Sequence, residues 1–128
     1  MIVVDASALI EVLVGEPNAA LAARLAQEPV LHAPHLLDTE VLHVLRRLEQ
    51  RRELTGAQVA TARAHFDALA IDRYPHRQLS ERVWALRKSV SAHDATYVAL
   101  AEALDAVLVT TDRRLARATG VRATVEVH

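Results

Sequence analysis

The stretch SAHDATYVALAEALDAVLVTTDRRLARA, from Ser91 to Ala118, constrains the fold more than any other part of the chain. It reads as a helix, a short turn, an apolar strand, and an acid that opens a second helix. Asp94 sits near the start of the first helix, and Asp112 lies just past the strand Ala106–Thr110. Almost everything between the two acids is apolar. Two carboxylates framing a buried helix–strand unit are costly unless something uses them.

The rest of the chain repeats the alternation. Ile2–Asp5 is a β-branched run ending in an acid, and Ala6–Val14 is helical in pattern. The turn Gly15–Asn18 leads into the alanine-rich helix Ala19–Gln27, with Asn18 as its cap. Val30–Ala33 is the next strand. A helix then runs from about His35 to Arg52, its apolar face formed by Leu37, Val41, Val44, Leu45 and Leu48. The helix Ala57–Ala70 turns Val59, Phe66 and Leu69 inward, and Ile71–Tyr74 is a strand halted by Pro75. The helix Leu79–Arg87 buries Leu79, Val83, Trp84 and Leu86. After the Ser91–Ala118 stretch, Gly120 caps a helix and Val121–Val127 is the last strand. Short strands alternating with helices predict an α/β domain with a mostly parallel central sheet of four to five strands, residues 1–128 forming one domain.

Composition narrows the chemistry. The 128 residues include no cysteine, which excludes disulfides, zinc–thiolate sites and thiol catalysis. The start MIVVDASALI lacks the basic region and cleavage site of a signal peptide, and no apolar run reaches the ~20 residues of a membrane span. The expectation is a cytoplasmic protein with no membrane partner. The net charge of −1 gives no global attraction to nucleic acid, although Lys88 is the only lysine and arginine supplies the remaining strong cations.

In an open parallel sheet, sites form at the carboxyl ends of the strands. Asp5 ends the first strand, Asp112 follows the strand Ala106–Thr110, Glu40 lies early in the helix after the second strand, and Asp94 occupies a first helical turn. All four are expected at one edge of the sheet. Singly, each has a structural explanation: Asp5 and Asp112 as N-caps, Asp94 against a helix dipole, Glu40 paired with His43 or Arg47. Together they repel, by about 0.7 kcal/mol per pair at 6 Å in water and about 3 kcal/mol at an effective dielectric of 20. A hard divalent cation removes that penalty, and oxygen-only ligands suit Mg²⁺ or Mn²⁺. Ser7 and Thr110 are hydroxyls beside Asp5 and Asp112, suited to capping or to positioning a metal-bound water. Asp38 flanks the helical stripe opposite Glu40, Asp105 sits in a helix–strand turn, and Asp67, Asp72, Glu49, Glu53 and Glu102 read as solvated faces. His93 adjoins Asp94, while His32, His35 and His43 lack a ligand spacing.

Four segments carry a resemblance: IVVDASALIEVL, EVLHVLRRL with Glu40, LSERVWALRKSVSAHDATYVALAEAL, and LVTTDRRLARA. They resemble PIN-domain ribonucleases and, more narrowly, the VapC toxins of type II toxin–antitoxin pairs, with the acidic motifs in order and spacing across nearly the whole chain. The resemblance implies a PIN-like three-layer α/β/α sandwich and an acidic pocket of Asp5, Glu40, Asp94 and Asp112, with Thr110 and Ser7 as its hydroxyls. It implies Mg²⁺- or Mn²⁺-dependent cleavage of RNA leaving a 5′-phosphate and a 3′-hydroxyl. It further implies a homodimer and a VapB-type antitoxin whose tail occupies the acidic groove, giving a toxin–antitoxin hetero-oligomer. A carboxylate-held ion lowers the pKa of a bound water and offsets charge on the phosphodiester. Asp5, Asp94 and Asp112 are the expected ligands, with Glu40 holding a second ion or orienting water. Since an acidic pocket repels RNA, affinity falls to nearby cations: Arg46, Arg47, Arg51, Arg52, Arg113, Arg114 and Arg117 are the candidates.

Two rival readings carry less. A phosphotransfer domain of haloacid-dehalogenase or receiver type also ends its first strand in Asp, but the former wants a second Asp where Ser7 stands. Both want a lysine near the phosphate, and Lys88 falls away from the expected edge. A non-catalytic PIN-like RNA-binding or scaffold module is expected to have lost an acid, and here all four are present.

Overall fold

The computed structural model describes residues 1–128. Five short strands, β1 (Ile2–Val4), β2 (Leu31–Pro34), β3 (Ile71–Tyr74), β4 (Val107–Thr110) and β5 (Val125–Val127), form one sheet in the order β3-β2-β1-β4-β5. Every neighbouring pair is parallel. The sheet is therefore wholly rather than mostly parallel. The chain runs outward from β1 through β2 to β3, then jumps back across the sheet to β4 and β5.

That reversal decides the layers. Crossovers between parallel strands are right-handed, so connections travelling in opposite directions place their helices on opposite faces. Helices α1 (Ala6–Val14), α2 (Ala19–Ala26), α3 (Leu36–Gln50) and α4 (Gly56–Ala68) belong to the outward half, and α1 packs against the other three. Helices α5 (Ser80–Ala85), α6 (Ala92–Ala103) and α7 (Arg113–Arg117) belong to the return half. Helix α6 lies across β1, β2 and β4 with α5 against its outer side. The result is the expected α/β/α sandwich.

The Ser91–Ala118 stretch forms its centre. Residues Ala95 to Ala101 of α6 are all buried, as are Leu108, Val109 and Thr110 of β4, because α6 is covered by the sheet on one side and α5 on the other. Asp105 ends α6 in a left-handed conformation (φ 50°). Its N–H donates to the Glu102 carbonyl and the Ala106 N–H to the Ala101 carbonyl, closing the helix and turning the chain straight into β4. Arg52 does the same after α3, with φ 59°.

Several expectations are corrected. Trp84 is 68% exposed instead of inward. Leu79, Val83 and Leu86 recur at four and three residues and share a face, whereas Trp84 falls off it and stacks under the Arg87 guanidinium at 4.5 Å. The expected helix Leu79–Arg87 is a 3₁₀ turn, Arg77–Leu79, followed by the six-residue α5. Leu69 is 36% exposed because α4 ends at Ala68 and Leu69 adopts extended backbone. Ala118, not Gly120, is the C-cap of α7, and Gly120 takes a later turn position at φ 83°. The last strand begins at Val125; residues 121–124 pack as a loop. Glu102 is no solvated face: it accepts from Arg82 Nε at 2.6 Å and from the Arg122 N–H at 2.8 Å, tying α5, α6 and the approach to β5 together.

Candidate active site

The strand order reverses between β1 and β4, and a crevice opens there at their carboxyl ends, where an open parallel sheet presents its site. Asp5 follows β1 and caps α1, its Oδ1 accepting from the Ala8 N–H at 3.0 Å. Asp112 follows β4 and caps α7, accepting from the Arg114 N–H at 2.9 Å. Asp94 occupies the first turn of α6, behind the Ser91 cap, and Glu40 the second turn of α3. These four acids, with Ser7 and Tyr97, line one cavity of about 390 Å³. The capping roles that explained Asp5 and Asp112 singly are real, and they also aim both carboxylates into the crevice. Glu40 pairs with neither His43 nor Arg47.

Asp5 is the buried member, 6% exposed. Each of its oxygens accepts a hydroxyl: Ser7 Oγ donates to Oδ1 at 2.7 Å and Thr110 Oγ1 to Oδ2 at 2.5 Å. Burial nonetheless pushes its pKa up against those bonds, with the Asp94 charge adding to the rise. Ser7 also accepts from the Thr111 N–H at 3.1 Å, and Thr110 from the Asp112 N–H at 2.9 Å. The two hydroxyls therefore bind the β1 end to the β4 end. Thr110 is fully buried behind the crevice and does not line it.

Asp112 differs. Arg114 grips both its oxygens, with Nη2 2.7 Å from Oδ2 and Nε 3.1 Å from Oδ1, and holds the carboxyl below its usual pKa. Arg114 itself is 86% exposed, so this pair is a rim contact of modest strength.

Tyr97, between Asp94 and Asp112, is not among the site candidates read from the sequence. Its hydroxyl donates to Glu40 Oε1 at 2.6 Å. Burial, and then the Glu40 carboxylate, push its pKa up, so it stays a proton donor and cannot serve as a base. The signal was available: Tyr97 is three residues after Asp94, one helical turn along the same face.

The remaining candidates separate cleanly. Of the arginines, only Arg114 reaches a cavity shared with the acids. Arg46 and Arg47 lie exposed on α3 and Arg113 exposed on α7, as do Arg51, Arg52 and Arg117 beyond them, none of them lining the crevice. Asp38 is taken by Arg73 at 2.6 and 2.9 Å. Asp105 serves the turn after α6. His93 is exposed and lines an adjoining cleft together with His43.

The donor set is oxygen only and anionic, the chemistry of a hard divalent cation. No three acidic or imidazole groups stand close enough to chelate one ion completely. Mg²⁺ does not need a complete protein cage, because it keeps several of its waters and is usually held by one or two carboxylates plus substrate phosphate. In donor type, the lining of the crevice suits such an ion.

The model of the PIN domain family matches residues 2–121. The chain is 48% identical over 115 residues to Ribonuclease VapC9 of Mycobacterium tuberculosis, covering 90% of this chain and 88% of the relative. It is 35% identical over 126 residues to Ribonuclease VapC12 of the same organism, covering 98% of each. Among solved structures, VapBC2 from Rickettsia felis bound to a DNA fragment from its promoter superposes with a TM-score of 0.72 at 14% identity, over 100% of this chain and 99% of that one. The M. tuberculosis toxin VapC20, described as cleaving the sarcin–ricin loop, gives 0.66 at 19% identity, over 91% and 95%. At such identities the two structures speak to the fold alone.

Proposed function

We infer that this chain, which belongs to the PIN-domain family and within it to the VapC ribonucleases, cuts RNA with a divalent cation bound in the pocket lined by Asp5, Glu40, Asp94 and Asp112. It is an endoribonuclease, the toxin of a toxin–antitoxin pair. The observation that carries the metal-site reading is the meeting of four carboxylates, two from helix caps at strand ends and two from first or second helical turns, around one cavity at the topological switch point. Residues 1–128 act as one domain in this reading.

Bound Mg²⁺ or Mn²⁺ would acidify a coordinated water and offset charge on the phosphodiester. The chain's own residues do the rest. Asp5, Asp94 and Asp112 supply ligand oxygens, directly or through water. Ser7 and Thr110 fix the Asp5 carboxylate by both oxygens, so it cannot rotate away. Tyr97, locked as a donor, holds Glu40 by Oε1 and leaves Oε2 to orient the attacking water. In-line attack then leaves a 5′-phosphate and a 3′-hydroxyl. Arg114 is placed to leave Asp112 for a phosphate oxygen, exchanging one anion for another. Arg46, Arg47 and Arg113 give weaker, longer-range attraction for the strand.

A VapB-type antitoxin is the partner the family requires, and this reading adds a homodimer and a toxin–antitoxin hetero-oligomer. No single helix is long and apolar enough to cross a membrane. A toxin that cuts the cell's own RNA acts in the cytoplasm, where we place the protein.

The test uses purified protein freed of antitoxin, incubated with RNA in Mg²⁺ or in EDTA. Cleavage is expected in Mg²⁺ only, and Asp94→Asn should reduce the rate by at least ~100-fold. Equal cleavage in both conditions would sink the metal mechanism. Full activity in Asp94→Asn would sink the site.

A further inference from the structure

Asp94 borders three cavities at once. The four-acid crevice is the middle one; a second, between α6 and α7, is edged by Arg114. The third, about 530 Å³, lies between the first turns of α3 and α6. It shares Glu40 and Val44 with the crevice as well, so the three form one continuous groove passing over the acids. The third cavity adds no carboxylate of its own. Its other polar walls are the hydroxyls of Thr39 and Ser91 and the imidazoles of His43 and His93, one histidine from each helix.

These two histidines are uncommitted. Of the seven in the chain, His32, His76 and His128 are held by hydrogen bonds to Tyr74, the Leu36 N–H and Glu126, whereas His35, His43, His65 and His93 are exposed with no side-chain hydrogen bond, and of those four only His43 and His93 line the groove. Arg114 is the only other side chain along the groove able to carry positive charge, and Asp112 already engages it. A strand crossing an acidic crevice needs attraction that the crevice cannot supply. Imidazoles offer a flat face for a base and N–H groups for phosphate, and sequence-tolerant recognition of unpaired RNA rests on such stacking.

We propose that the α3–α6 cleft is a nucleotide subsite: it takes the unpaired ribonucleotide next to the scissile phosphate, with His43 and His93 contacting its base and Thr39 and Ser91 its ribose or phosphate. The proposal rests on the ribonuclease reading above and adds to it the residues that contact the nucleotide beside the cut. The alternative occupant of such a cleft is a protein segment, the antitoxin's tail.

The test compares wild type with His43→Ala, His93→Ala and the double variant on a fluorescent unpaired oligoribonucleotide, on the same sequence in a duplex, and by mapping of cut sites. In the double variant KM should rise about tenfold, the loss of one base–aromatic stack, with kcat within about threefold of wild type. Preference for the nucleotide beside the cut should flatten, and His43→Phe should recover KM where His43→Ala does not. Melting temperature and the Mn²⁺-induced rise in it should match wild type, which distinguishes weaker nucleotide binding from damage to the fold or the acidic site. Unchanged KM and cut pattern in a wild type that does cleave overturns the subsite alone, as does duplex cut as well as single strand. Unchanged KM with weakened inhibition by antitoxin gives the cleft to the antitoxin and also overturns it. A wild type that cleaves no RNA in Mg²⁺ overturns the parent reading.

Discussion

Replacing Tyr97 by phenylalanine removes one oxygen and frees Glu40 Oε1 of its only hydroxyl donor. We expect a stability loss of about 1 kcal/mol by urea titration, the net value of one hydrogen bond. The larger effect should fall on kcat, by ten- to a hundredfold, since a carboxylate that rotates is misplaced for the attacking water. A kcat equal to wild type would remove Tyr97 from the positioning role. Asp5 and Asp112 show how one residue type at one kind of position meets opposite fates. Both cap helices, yet burial raises one carboxyl while Arg114 lowers the other. Neither difference is written in the capping motif itself, because burial and side-chain partners depend on how the surrounding elements pack.

At the scale of elements, the turn between α6 and β4 fixes the separation of Asp94 and Asp112. Its hinge, Asp105, holds φ 50°, a region that costs a non-glycine residue about 1 kcal/mol. Asp105→Gly should therefore raise stability by about 0.5–1 kcal/mol in denaturant melts, with RNase activity unchanged; destabilisation would mean that the Asp side chain contributes something beyond the turn. Helix α3 has a different dependence. Its first N–H groups lack a local cap, and the Leu36 N–H donates instead to His76 Nε2 at 2.9 Å from the far side of β3. The apolar period made α3 legible in the sequence. Its cap was not, since it comes from a residue 40 positions away.

At the scale of the molecule, Glu102 joins α5, α6 and the segment leading to β5. Burial alone would raise its pKa, but Arg82 and the Arg122 N–H outweigh that and hold it below the ordinary value. A carboxyl depressed by folding contributes stability above its unfolded pKa, near 4.3, and that contribution is lost as pH falls through the lower folded value. Glu102→Gln should cost about 1–3 kcal/mol at pH 7 and show a flatter loss of stability below about pH 4.5. Parallel acid limbs in the two proteins would assign the acid sensitivity elsewhere. The proposed metal binding belongs to the same scale, because only the folded chain assembles the four acids. At 100-fold excess over Kd, Mn²⁺ should stabilise wild type by about 2.7 kcal/mol, roughly 10 °C in Tm, and Asp5→Asn by distinctly less. Identical shifts would count against Asp5 as a ligand.

The sequence by itself determined the alternation of strands and helices, the parallel sheet and the four acids at strand ends and first helical turns. Those are local matters of period, capping and chain order, and each is encoded within a few residues. The tertiary structure decided what depends on meeting across the chain: that Thr110 joins Ser7 in closing on Asp5, that Tyr97 holds Glu40, that Trp84 faces outward, and that His43 and His93 share a cleft beside the acids. Thr110 stands 105 residues from Asp5 and Tyr97 57 from Glu40, and only the packing of two helical layers on the sheet brings each pair within hydrogen-bonding distance.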